Sequence, residues 1–101
     1  MRSMNYELIQ KISRQEPKTL LQRMVKLQEE CGELAQEVLI HEKASGSQHK
    51  SEGPDGILGE CIDFALVVLS IYFSHGGNIS QLEKQAELKC TKWEKNQLPK
   101  A

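Results

Sequence analysis

Glu60 and Asp63 open the most apolar stretch of the chain, ECIDFALVVLSIYF over residues 60–73, and no other feature limits the possible folds so strongly. An ionised carboxylate taken out of water without a partner costs several kcal/mol or more, or it shifts its pKa and takes up a proton. Whatever the chain folds into must bring a compensating group to these two acids.

A chain of 101 residues has room for one domain, residues 1–101, and at that size a lone core buries only a modest share of its surface. Hydrophobic residues at 39% and charged residues at 27% describe a globular chain, and 5% aromatics with three prolines suit helices better than a sandwich of short strands. The fold class expected is all-α. A net charge of −1 argues against a nucleic-acid polymer as partner, since such binders carry a basic domain or stripe. The apolar run from Cys61 to Phe73 is shorter than the roughly 20 residues of a membrane span, so no membrane partner is expected. The opening MRSMNYELIQ has no apolar leader segment, and a cytoplasmic location is the expectation. Cys31, Cys61 and Cys90 are odd in number and far apart. They suggest neither a disulfide framework nor a zinc site, and helical spacing predicts them to be reduced core residues.

Met4, Leu8, Ile9 and Ile12 fall at helical spacing and predict a short first helix that ends before Pro17. From Lys18 to Ala44, Leu20, Met24, Leu27, Cys31, Leu34 and Val38 recur at steps of four and three, the seam of a long packed helix. Gly32 within it suggests a close packing contact. Residues 45–56 contain three glycines and three serines and read as a mobile loop. A third helix is expected from about Pro54 to Ser74, and a fourth from about Ser80 to Asn96 with Leu82, Ala86, Cys90 and Trp93 on one face. Residues 97–101 read as a frayed tail.

The second helix carries Glu29, Glu30, Glu33 and Glu37. Glu30 and Glu33, three apart, project from one face beside the apolar seam. Glu60 and Asp63 repeat that spacing on the third helix. If the two helices pack antiparallel, four carboxylates converge, and each raises the pKa of its neighbours. A hard divalent cation resolves the conflict, and an all-oxygen donor set suits Mg²⁺, with Mn²⁺ as a substitute. The bland alternative, a solvated face, fits Glu37 and Glu42 better than it fits Glu30 and Glu33. No histidine has a Glu three residues before it, so a di-iron bundle is disfavoured, and no EF-hand loop is present.

With EECGE at residues 29–33 followed by ECID at 60–63, the chain resembles the MazG-like all-α nucleoside triphosphate pyrophosphohydrolases, relatives of the dimeric dUTPases and dCTP pyrophosphatases. The similarity runs from about Leu20 to Asn96. It implies a four-helix bundle of the MazG-like type, completed by assembly into a homodimer or homotetramer. It also implies Mg²⁺-dependent hydrolysis of a nucleoside triphosphate, expected to be a dNTP, between the α and β phosphates to a monophosphate and pyrophosphate. By the same resemblance Glu30, Glu33, Glu60 and Asp63 are metal ligands, and Glu29 is the expected catalytic residue, which would orient or deprotonate the attacking water or else stand behind the ligands. Lys92 and Asn96, in KWEKN, are similar to the family's Lys-x-x-x-Asn pattern, and with Lys89 on the same face they are the expected substrate-binding residues, although the Arg that often follows is absent from NQLPKA. Family members build the base pocket from the first two helices and a partner subunit, which nominates Tyr6, Gln22, Lys26 and Trp93. The alternative from another class is a non-catalytic helical oligomerisation or regulatory module.

Overall fold

The computed structural model describes residues 4–97 and 99, and among them the regular structure is entirely helical. Four helices follow one another, α1 (Tyr6–Gln15), α2 (Leu20–His41), α3 (Gly56–Ser74) and α4 (Ile79–Asn96). Local chemistry sets the ends. Asn5 Oδ1 accepts from the Leu8 amide at the start of α1, and Asn78 Oδ1 does the same for Gln81 at the start of α4. Thr19 and Gln22 form a reciprocal capping box, which satisfies two amides that the first turn leaves orphaned. Hence α2 begins at Leu20, two residues beyond the expected start, and Pro17 lies in the linker. At the other end Lys43 adopts a φ of +53°, a left-handed turn that a helix cannot continue through, so α2 stops at His41 and short of Ala44.

The register of contacts fixes how the helices run. Along α2 and α3, Glu37 meets Gly53, Glu30 meets Glu60, and Arg23 shares a cavity with Val67 and Ser70; as one chain position rises the other falls, so the two are antiparallel. Between α1 and α3, Ile9 and Ser13 share that cavity with Val67 and Ser70 and Arg14 reaches Phe73, so these two run parallel. The central element is α3, packed on α1 and on α2.

By length and composition α3 would also pass for a membrane span, with 19 residues and a mean hydropathy of 1.8; the helix is longer than the 61–73 run because Gly56–Glu60 and Ser74 join it. The loop expected at residues 45–56 is held at two points, where Gly53 N–H donates to the Glu37 carboxylate at 3.0 Å and Glu52 meets His41 Nδ1 at 2.8 Å. Glu37 thus fastens the loop that precedes α3.

Among the described residues the only buried apolar side chains are Ile40 and Phe73. The apolar seam expected along α2 is turned: Leu27, Leu34 and Val38 are part-buried, whereas Leu20, Met24 and Cys31 are exposed. Buried in their stead are Arg23 and Glu30, because the face that meets α3 carries the helix's polar partners. The three cysteines are free and exposed rather than core residues. Gly32 has open space around it, so no close contact explains it within one chain. Trp93, expected on a packed seam, is 67% exposed, because α4 has no packed helix partner among the described residues. The radius of gyration of 16.8 Å exceeds the roughly 13 Å of a compact chain this long.

Candidate functional site

Antiparallel packing of α2 on α3 brings the two acidic pairs together. Carboxylate oxygens of Glu30, Glu60 and Asp63 lie within 4.8 Å of one another. Glu33, exposed, stands at the edge, close enough for its charge to act on Glu60. Three of the four expected ligand residues therefore form one oxygen cluster, with the fourth at its rim. Glu30 is buried, and Glu60 and Asp63 are half-buried.

Glu30 Oε2 and Glu60 Oε2 are both sealed from solvent and accept no hydrogen bond. Buried polar atoms are ordinarily paired, so two orphaned carboxylate oxygens in one cluster need an explanation. The Glu60 carboxyl is pushed above its ordinary range, first by its burial and then by the charges of Glu33, Asp63 and Glu30. The unbalanced charge belongs to the site as built.

Among the described residues one cation reaches it. Lys26 Nζ stands 3.2 Å from Glu30 Oε1 and 3.6 Å from Glu29 Oε2, and the Glu30 hydrogen bond and charge raise the Lys26 ammonium above its usual range. A spacing of four residues on one helix face is the signal for that pair. Glu29 is exposed and points to Lys26, outside the oxygen cluster.

Lys26 also lines an open cavity of about 430 Å³ between α1, α2 and the second half of α3. Leu8, Ile12, Leu66 and Val67 supply apolar wall, with Arg23 and Ser70 as polar groups. Arg23 is buried and spans the corner between α1 and α2: its Nη2 donates to the Ser13 and Glu16 carbonyls at 2.9 Å each and its Nε to the Lys18 carbonyl at 3.4 Å. The sequence gives little warning of this residue, since a polar position inside a helical seam ordinarily reads as surface. Of the four nominated pocket residues, Lys26 lines the cavity, Tyr6 and Gln22 do not, and Trp93 lies on the separate α4.

Lys89, Lys92 and Asn96 share one side of α4, all exposed. Among the described residues α4 does not pack closely on α1, α2 or α3, and a single copy does not bring these three side chains to the carboxylates. A cluster of this composition can hold a hard divalent cation through carboxylate oxygens alone. No protein-family model, curated protein or solved structure matches this chain.

Proposed function

We propose that this protein is a Mg²⁺-dependent nucleotide pyrophosphohydrolase of the MazG-like kind, acting on nucleoside triphosphates, dNTPs foremost, in a cytoplasmic setting. The observation that carries the reading is the convergence of Glu30, Glu60 and Asp63 with two buried oxygens left unpaired. In an all-oxygen site, a divalent cation neutralises the charge that no protein group neutralises. Glu30, Glu60 and Asp63 would hold the ion, and Glu33 would close the set from the rim. When bound, Mg²⁺ polarises phosphoryl oxygens and makes a bound water more acidic.

The chain's own residues then have separate work. Glu29, beside the cluster but outside it, orients the attacking water or accepts its proton. Lys26 holds Glu30 and Glu29 in place, and it marks the border between the acidic patch and the cavity. The cavity volume is within the range of small-molecule sites, and its apolar walls suit a nucleoside while the phosphates extend toward the acids. Phosphoryl transfer needs positioning and charge stabilisation more than covalent help, so the absence of a nucleophilic triad from this reading is no obstacle.

The test is incubation with each NTP and dNTP, with Mg²⁺ and with EDTA, and separation of the products by anion exchange. Monophosphate and pyrophosphate formed only with metal are expected. Diphosphate and orthophosphate would refute cleavage between the α and β phosphates. No turnover on the whole panel would favour the non-catalytic helical module.

A further inference from the structure

Fourteen residues, 42–55, lie between α2 and α3, and a linker of that length imposes no register on the two helices. Packing adds little. Along α2 the aliphatic row is only part-buried at Leu27, Leu34 and Val38, and a row that recurs at helical spacing is satisfied at more than one register, because apolar burial has no direction. The acids oppose the arrangement, since Glu33, Asp63 and Glu30 all act on Glu60 with like charge. Yet oxygens of Glu30, Glu60 and Asp63 meet within 4.8 Å, and a slip of one helical turn would displace α3 by about 5.4 Å. Something else must hold the register.

Glu37 is placed to do so. It is half-buried, and both of its oxygens accept from one donor, the Gly53 N–H, at 3.0 and 3.2 Å. Glu37 lies seven residues beyond Glu30, and Glu60 lies seven beyond Gly53, so this bond and the meeting of Glu30 with Glu60 belong to one antiparallel register. Among the described residues Glu37 makes no ion pair. A backbone N–H is fixed to the chain, whereas the flexible stem of a lysine would follow the carboxylate through a slip.

Gly53 is the other half of the joint. Its φ lies outside the left-handed region, so the backbone there does not call for glycine. The close approach does: a Cβ on Gly53 would stand 2.6 Å from Glu37 Oε1. One turn further along α2, His41 Nδ1 meets Glu52 Oε1 at 2.8 Å, but both of those side chains are exposed, and water competes for such a pair.

We infer that Glu37, through Gly53, sets the register of α3 against α2 and so brings Glu60 and Asp63 to Glu30. It is a positioning residue that stands outside the oxygen cluster. The inference rests on the metal reading only for the use of the register, which is to let acids from two helices grip one ion. The register itself stands on the hydrogen bond and on the glycine that admits it.

Native cysteines report on it without turnover. Cys31 and Cys61 are free and exposed, and they follow Glu30 and Glu60 directly in sequence. With Cys90→Ser in every protein, nitroxides on these two thiols give the spacing of α2 and α3 by electron paramagnetic resonance in EDTA, the labelled chain diluted with unlabelled protein. The expected result is a narrow distance distribution in the parent and in Glu37→Gln, whose amide oxygen still accepts from Gly53, and a broadened or shifted one in Glu37→Ala and Gly53→Ala. Unlabelled proteins are then titrated with Mn²⁺ alone. Affinity should fall about tenfold in the two alanine variants, the lower end of what losing an outer partner of a metal site costs, and stay near the parent's in Glu37→Gln. Alanine variants that melt lower but keep the parent distances would make Glu37 a stabilising contact only and overturn the inference. A Glu37→Gln protein as loose as Glu37→Ala would assign the effect to charge and overturn it too. Should Glu37→Ala not fold, Gly53→Ala, which keeps every atom of Glu37, decides alone. Loss of register in the variants of a parent that binds no Mn²⁺ would keep the positioning role and discard the metal reading.

Discussion

Lys26 Nζ stands 3.2 Å from Glu30 Oε1, and among the described residues this is the only ion pair reaching the oxygen cluster that Glu30 shares with Glu60 and Asp63. One ammonium against several carboxylates leaves negative charge uncompensated, and that imbalance separates the site from a structural salt-bridge network.

Removing one charge should therefore harm function and spare the fold. Glu30→Gln and Asp63→Asn are each expected to lower turnover by about 10²-fold or more, the scale set by losing even an outer partner of a metal site. In EDTA both variants should melt at or above the wild-type temperature, since each relieves repulsion. Wild-type activity in both variants would remove the cluster from the chemistry.

The raised Glu60 carboxyl gives the metal-free protein a pH signature. Its folded pKa lies above the ordinary 4.5, so over that interval the native state holds a proton that the unfolded chain has released. Stability then falls as pH rises from about 4.5 through the folded pKa of Glu60, and the Glu60 contribution levels off above it. Bound Mg²⁺ should flatten the slope, because the cation favours the ionised form. Urea midpoints across that range, in EDTA and in Mg²⁺, measure it; a Glu60→Gln variant that keeps the wild-type slope would show that another group is responsible.

How much of this was legible in the residues depends on what each inference required. Helix positions followed from apolar spacing and caps, which are local, and the expected ends of α3 and α4 are close to those observed. The meeting of the two acidic pairs followed from spacing joined to antiparallel packing. Which face of α2 turns inward did not follow. Leu20, Met24 and Cys31 belong to the same periodic row as Leu27, Leu34 and Val38, and the turn that exposes the first three comes from the burial of Arg23 and Glu30 beside that row, which periodicity does not show. The seam of α4 was visible, but periodicity cannot say whether its cover comes from the same chain. Trp93 and the cysteines were misplaced for that reason.

Arg23 joins three carbonyls at the α1–α2 corner. Arg23→Ala should destabilise by about 2–3 kcal/mol, since it strips a charged donor from the Ser13, Glu16 and Lys18 carbonyls at a buried corner. Lys in its place recovers only part of this, because an ammonium lacks the planar fork. Urea denaturation of the three proteins at one concentration gives the comparison, and an alanine variant of wild-type stability would contradict it.

Phe73 is fully buried, with the Tyr72 ring edge-on at a centroid distance of 5.4 Å. Phe73→Ala is expected to cost about 3–5 kcal/mol, a large share of the 5–15 kcal/mol that holds a typical domain. Loss of the cooperative thermal transition, or a fall of many degrees, is the expected observation; a near-unchanged transition would place the stabilising core elsewhere.

The corner held by Arg23 differs from the acidic site in one respect. A guanidinium does not lose its proton at any pH a protein survives, and the carbonyls it grips never ionise. Acid or a chelator acts on the carboxylates, while the joint between α1 and α2 that positions them feels neither. The acidic face can thus be discharged and recharged on a frame that takes no part in the titration.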